Sequence, residues 1–82
     1  MKMPECFASS KVLIGFNQSK KHIQKGLGGT VYLGCDVSRA IAEQIRALCE
    51  VHRLELKDCY TMHQLGRLCG IDVECSVCVV LS

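Results

Sequence analysis

The residues best suited to chemistry in this sequence form a small polar group near the N-terminus. Asn17 and Gln18 follow a short apolar run and Gly15, and Lys21 comes one helical turn later. Each amide side chain can donate and accept hydrogen bonds, and the lysine adds a cation. A glycine at a strand-to-helix turn allows a sharp bend or a close backbone approach. We therefore predict a ligand site here. The alternative is that Asn17 only caps a helix and the lysine only lies on its solvated surface.

Cys75 and Cys78 have the spacing of a metal knuckle. They fall in a predicted strand, however, where residues three apart point to opposite faces. No second pair completes four zinc ligands, and no helix N-terminus follows that would lower a thiol pKa. We expect both cysteines to be core thiols and predict neither a metal nor a cofactor. A thiol or metal protein, suggested only by the cysteine count, is the least favoured alternative.

No pattern in the sequence supports catalysis. The glycines at 26, 28 and 29 come after a helix and before a strand, which is the reverse of a nucleotide-binding glycine loop. The three histidines, His22, His52 and His63, lie in separate predicted helices without ligand spacing. We predict no catalytic residue and expect that the protein is not an enzyme.

Length and composition indicate one small domain. The 82 residues are 49% hydrophobic, which is enough for an ordinary core without metals or disulfides. We expect a single domain over residues 1–82, with residues 1–10 as a leader that could carry a short helix at 5–9. The net charge of +2 permits nucleic-acid binding without requiring it.

Cysteine usage and hydropathy indicate the cellular compartment in which the protein is expected. The seven cysteines are odd in number and fall mostly within apolar patterns, as expected of reduced thiols in a reducing compartment. No apolar run is long enough to span a bilayer, and the N-terminus lacks a signal-peptide layout. We therefore predict a cytoplasmic protein without membrane contact.

The elements that would position these residues alternate along the chain. Strands are predicted at 11–15, 30–35, 54–58 and 75–81, and the intervening helices open at Gln18, near Asp36 or Ser38, and at Thr61. The first predicted strand should be buried on both faces, and the third, in which apolar and charged residues alternate, should lie at or near a sheet edge. The βαβαβαβ order predicts an α/β fold, a three-layer α/β/α sandwich around a four-stranded mixed sheet.

The third helix carries two local signals. Thr61 with Gln64 is a capping-box pattern, and Gly70 fits a helix end. Gly66 lies inside this short helix, where glycine costs about 1 kcal/mol relative to alanine. We expect a close contact with the sheet or a ligand to offset that cost.

Two stretches together resemble the ribosomal protein L7Ae/L30e family, specifically its short bacterial L7Ae-like members. The first, IGFNQSKKHIQKG, matches the family's pattern of a glycine, an asparagine, a glutamate or glutamine, and then a lysine. The second, LGRLCGIDVECSVCVVL, matches its Leu-Gly, glycine, small apolar loop and terminal strand. Each motif alone is weak, but the pair at this separation is specific, and the likeness covers about residues 11–81.

The resemblance implies an RNA-binding protein, commonly one that recognises kink-turns, which are duplexes bent sharply at a bulge beside tandem G·A pairs. The kink exposes guanine edges that ordinary A-form RNA hides. The implied partner is structured RNA, either ribosomal RNA or an mRNA leader, bound by a monomer. The RNA-binding residues implied by the family motif are Gly15, Asn17, Gln18, Lys21, Gly70, Ile71, Asp72 and Val73.

The roles implied by the resemblance divide between two surfaces. Lys21 would contact guanine O6 and N7, while Asn17 and Gln18 would contact base edges. Ile71 and Val73 would cover bases splayed from the bulge. The family implies that the two surfaces lie side by side and grip both sides of the bend.

Three departures from the family pattern predict weaker binding. Gln18 replaces a common glutamate, Ser38 occupies the place of an acidic residue, and Met62 replaces a frequent lysine. These departures and the low charge leave one alternative open, a protein-interaction adaptor on the same fold.

Overall fold

The computed structural model describes residues 11–81, in which four strands and three helices alternate as predicted. The short helix expected at 5–9 lies outside the described residues. The elements, in chain order, are β1 (Lys11–Ile14), α1 (Phe16–Gln24), β2 (Thr30–Gly34), α2 (Arg39–His52), β3 (Glu55–Tyr60), α3 (Met62–Cys69) and β4 (Val77–Leu81).

The four strands form one mixed sheet in the order β1-β4-β2-β3. β4 runs antiparallel to both of its neighbours, whereas β2 and β3 are parallel. β3 lies at an edge, as its alternating charges predicted. β1 is also an edge strand, and Ile14 at its end is 37% exposed. The expectation that β1 is buried on both faces was therefore wrong, because three apolar residues do not by themselves distinguish an edge strand from a central one.

Helices cover both faces of the sheet and give the predicted three-layer sandwich. On one face, α1 and α2 contribute Ile23 and Ile45 to a core shared with alternate residues of β2 and β4. On the other face, α3 contributes Leu65 and Leu68 to a second, smaller core. Because β4 is central, its successive side chains enter the two cores in turn, with Val77 in the first core.

Helix ends follow local sequence signals in two of the three helices. The Ser38 hydroxyl caps α2 by accepting from the Ile41 amide at 3.4 Å. Thr61 and Gln64 form the predicted capping box at the start of α3, and Gly70 ends that helix with a left-handed φ of 77°. Asp36, the other capping candidate for α2, instead accepts from the first amide of α3.

The start of α1 differs from the prediction. The helix begins at Phe16 rather than Gln18, and its N-cap is Gly15 rather than Asn17. Gly15 has a φ of 106°, which L-residues rarely adopt, and no side chain accepts a hydrogen bond at this N-terminus. The glycine conformation therefore turns the chain from β1 into α1, and Asn17 is not needed as a cap.

Candidate functional site

The two predicted surfaces lie at the same end of the sheet. β1 ends at Ile14, which pairs with Cys78 near the start of the antiparallel β4. The Gly15 amide then donates to the Val77 carbonyl at 2.9 Å. The first turn of α1 and the loop of residues 70–76 that leads into β4 are thereby joined through the strand ends.

The other strands bring α3 to this end of the sheet. β2 ends at Gly34, whose amide donates to the carbonyl of Ser76 at 2.9 Å. The amide of Met62, the first residue of α3, donates to the Asp36 carboxylate at 2.8 Å. The Cys75 amide in turn donates to the Met62 carbonyl at 3.0 Å. These bonds fix the 70–76 loop against the start of α3.

The polar side chains predicted from the first motif are exposed at this corner. Asn17, Gln18 and Lys21 are all solvent-exposed, while Ser19 between them is buried under the helix. Since no side chain caps α1, the backbone amides and positive dipole of its first turn add to the cationic character of the corner. Lys20 is held differently: its ammonium lies 5.6 Å from the centre of the Phe16 ring.

The residues predicted from the second motif form the exposed loop after α3. Gly70, Asp72 and Val73 are exposed, with Val73 at 68%, and Ile71 is half-buried. The Ile71 amide donates to the Gly66 carbonyl at 3.0 Å, which folds the loop back onto its own helix.

Gly66 makes a close contact, as predicted, but with the 70–76 loop rather than with the sheet or a ligand. A β-carbon at this position would lie 2.1 Å from the carbonyl oxygen of Val73, too close for any L-residue with this backbone. The absence of a side chain therefore lets the loop lie directly on α3.

An open cavity of about 690 Å³ lies between α3 and this loop. Besides the loop residues, His63 and Arg67 line this cavity, and neither was predicted as a site residue. Their four-residue spacing on the exposed side of α3, next to the loop motif, is the sequence signal that could have indicated them. They add two nitrogen-bearing side chains beside the apolar Val73.

Two of the three departures from the family pattern have structural roles. Ser38 supplies the cap of α2. Met62 is half-buried against Gly34, where a β-carbon would lie 2.7 Å from the Met62 Cγ. These residues stabilise the fold at positions where the resemblance implied RNA contacts.

The expectation for the two spaced cysteines was partly wrong. Cys75 and Cys78 are buried, as predicted for core thiols, but they do not point to opposite faces. Their sulfurs and that of Cys69 all lie within 4.8 Å of one another. The reason is that β4 begins only at Val77, so strand alternation does not apply to Cys75.

The three thiols interact electrostatically. A hydrogen bond with the Cys78 thiol lowers the pKa of Cys75 to about 7, against the opposing effect of burial. The same hydrogen bond, together with burial, raises the pKa of Cys78. Cys75 is therefore the member of this pair that ionises first. Elsewhere, burial raises the pKa of Cys49.

Within residues 11–81, no helix is both long enough and apolar enough to cross a membrane.

Comparison with solved structures supports the fold. A protein of unknown function from Bacillus halodurans superposes with a TM-score of 0.81 at 24% identity, covering 95% of this chain and 77% of the other. A 15.5 kD RNA-binding protein from Giardia lamblia superposes with a TM-score of 0.80 at 19% identity. That match covers 95% of this chain but only 65% of the Giardia protein.

Comparison of sequences identifies the family. A protein named an RNA-binding protein, from Caldanaerobacter subterraneus subsp. tengcongensis, is 32% identical over 63 residues, which is 77% of each chain. The sequence profile of the ribosomal protein L7Ae/L30e/S12e/Gadd45 family matches residues 2–82. The chain therefore belongs to the ribosomal protein L7Ae/L30e/S12e/Gadd45 family.

Proposed function

We propose that this protein binds structured RNA and recognises a kink-turn. The observation that carries the proposal is the joining of two motif surfaces at one end of the sheet, through the Gly15 amide and the Val77 carbonyl. The relative from Caldanaerobacter, which is named an RNA-binding protein, supports the same function. Family membership agrees with the prediction that the chain is not an enzyme.

The first surface would read the bases beside the kink. Lys21 is exposed and can donate to O6 and N7 of a guanine. Asn17 and Gln18 can donate and accept toward neighbouring base edges. The uncapped amides of the first turn of α1 would bind a phosphate oxygen, since anions are stabilised at helix N-termini.

The second surface would cover bases that leave the stack at the bulge. Val73 and Ile71 offer apolar contact to base faces, and the exposed loop backbone at Gly70 and Asp72 allows close approach. Arg67, on the wall of the adjacent cavity, can contact a phosphate or stack on a base. This surface would add affinity with little sequence specificity.

Recognition in this proposal depends on shape. Free RNA samples extended and bent forms, and a protein that binds only the bent form shifts the population toward it. Specificity then comes from the geometry of the kink and a few guanine contacts, which suits a net charge of +2. The proposal includes action as a monomer in the cytoplasm on ribosomal RNA or an mRNA leader.

The test is a titration of two RNAs that differ only in the kink. One is a kink-turn duplex, and the other has its tandem G·A pairs replaced by Watson–Crick pairs. We expect much tighter binding to the kink-turn, and the difference in affinity between the two RNAs should persist as salt is raised. Equal affinity for both RNAs would overturn kink-turn recognition, and no binding to either at low salt would overturn RNA binding. Protein partners that copurify after nuclease treatment would then favour the adaptor alternative.

A further inference from the structure

Three cysteine thiols meet where α3, the 70–76 loop and β4 come together. Cys69 is the last residue of α3 and is half-buried, whereas Cys75 and Cys78 are 2% and 0% exposed. Their sulfur atoms all lie within 4.8 Å of one another. The other described cysteines, Cys35, Cys49 and Cys59, are not part of this group.

The separation of the sulfurs suits a shared metal ion. With metal–sulfur bonds of about 2.3 Å, two thiolates on one ion lie roughly 3.8–4.0 Å apart. Three sulfurs within 4.8 Å of one another are therefore at most about 1 Å further apart than a shared ion requires. We propose that Cys69, Cys75 and Cys78 form a three-thiolate site for a thiophilic d10 metal ion, Cu⁺ or Zn²⁺.

The ligand chemistry defines this class of ion. Within the described part of the chain, the group contains sulfur donors and no carboxylate or imidazole. Thiolates select Cu⁺ and Zn²⁺, whereas Mg²⁺, Ca²⁺ and Mn²⁺ prefer oxygen. Cu⁺ needs only the three sulfurs, while Zn²⁺ would take a water as its fourth ligand. Leu65 and Leu68 pack in the same buried cluster and limit access of water, which favours Cu⁺ over water-bound Zn²⁺.

The backbone already holds the three ligands in place. The Cys75 amide donates to the Met62 carbonyl, and Cys78 is paired within the central strand β4. Cys69 ends α3 and Cys75 lies in the 70–76 loop, so one ion bonded to both would tie the loop to α3. Each thiol loses its proton as its metal–sulfur bond forms, and up to three protons pass to the buffer.

The experiment uses the full chain, reduced and stripped of metal. Cu⁺ and Zn²⁺ are titrated separately against a chromophoric competitor, and thiolate-to-metal charge-transfer absorption and proton release are recorded. We expect one equivalent of at least one of the two ions to bind, with proton release. The titration that saturates at one equivalent identifies the ion. If neither ion binds stoichiometrically, the proposal is wrong.

Variants test which cysteines are the ligands. Cys69→Ala and Cys78→Ala should each weaken binding by roughly 100-fold or more, since even outer-shell changes cost up to about that much. A control chain carrying Cys6→Ala, Cys35→Ala and Cys59→Ala should bind as the unchanged protein does. Full binding by Cys69→Ala, or loss of binding by the control chain, would contradict the assignment.

A second measurement uses the unchanged protein and therefore does not depend on whether a variant folds. In the unchanged protein, bound metal should slow alkylation of the half-buried Cys69, read by mass spectrometry, while the exposed Cys35 and Cys59 react as before. Equal alkylation of Cys69 with and without metal would overturn the site. No RNA is used, so failure here is distinct from failure of the proposed RNA binding.

Discussion

A β-carbon on Gly66 would lie 2.1 Å from the carbonyl oxygen of Val73. The contacted atom belongs to the backbone, which cannot move aside as the end of a flexible side chain could. The helix α3 and the 70–76 loop therefore fit together only with glycine at position 66.

We expect Gly66→Ala to destabilise the protein. Alanine would gain about 1 kcal/mol in helix propensity, but displacing the Val73 backbone should lower the unfolding free energy by about 1–3 kcal/mol net. Urea denaturation measures the difference. The matched control is Gly28→Ala, because nothing lies within 4 Å of a β-carbon there. A Gly66→Ala protein as stable as Gly28→Ala would contradict the importance of this contact.

We expect Lys21→Ala to weaken kink-turn binding by about 1–3 kcal/mol, the contribution of a good bidentate base contact. Isothermal titration with the kink-turn duplex measures the loss. Lys25→Ala removes the same charge one turn further along, at the C-cap of α1, and is the control. Equal losses for the two variants would mean that Lys21 contributes only general charge, against its proposed guanine contact.

The exposed Val73 provides a test of the apolar loop surface. Val73→Ser should reduce RNA affinity, because it removes the proposed contact with unstacked bases, while stability changes by no more than about 0.5 kcal/mol. Val51→Ser is matched in exposure, 73% against 68%, but lies on α2. RNA titration and urea denaturation of both variants separate binding from folding. Unchanged affinity in Val73→Ser would remove this residue from the proposed interface.

The capping box of α3 predicts a stability effect at Thr61. The Thr61 hydroxyl accepts from the Gln64 amide at 3.1 Å, and the Thr61 amide donates to the Gln64 side chain at 2.9 Å. Thr61→Ala should cost about 0.5–2 kcal/mol of unfolding free energy. Thr61→Ser keeps the hydroxyl and should cost less. If thermal or urea unfolding places the two variants at the same stability, the side-chain cap contributes little.

The sequence by itself determined the alternation of strands and helices. Hydrophobic periodicity and capping signals act over a few residues, which is why Thr61 and Gly70 could be assigned correctly as helix-end residues and the cap of α2 could be limited to Asp36 or Ser38. That alternation predicted the sheet with helices on both faces, and the paired motifs indicated the family. The N-cap of α1 was missed because Asn17 is a good cap by type, whereas the φ of Gly15 made a side-chain cap unnecessary.

Tertiary structure alone decided which distant residues meet. Strand order is set by pairing between segments far apart in the chain, so the three apolar residues of β1 gave no sign that it lies at an edge beside β4. The same pairing places Gly15 against Val77 and joins the two motif surfaces, which the family resemblance had implied but local sequence signals could not. Cys69, Cys75 and Cys78 converge because β4 starts two residues after Cys75, a boundary that depends on the neighbouring strands and that local periodicity cannot encode.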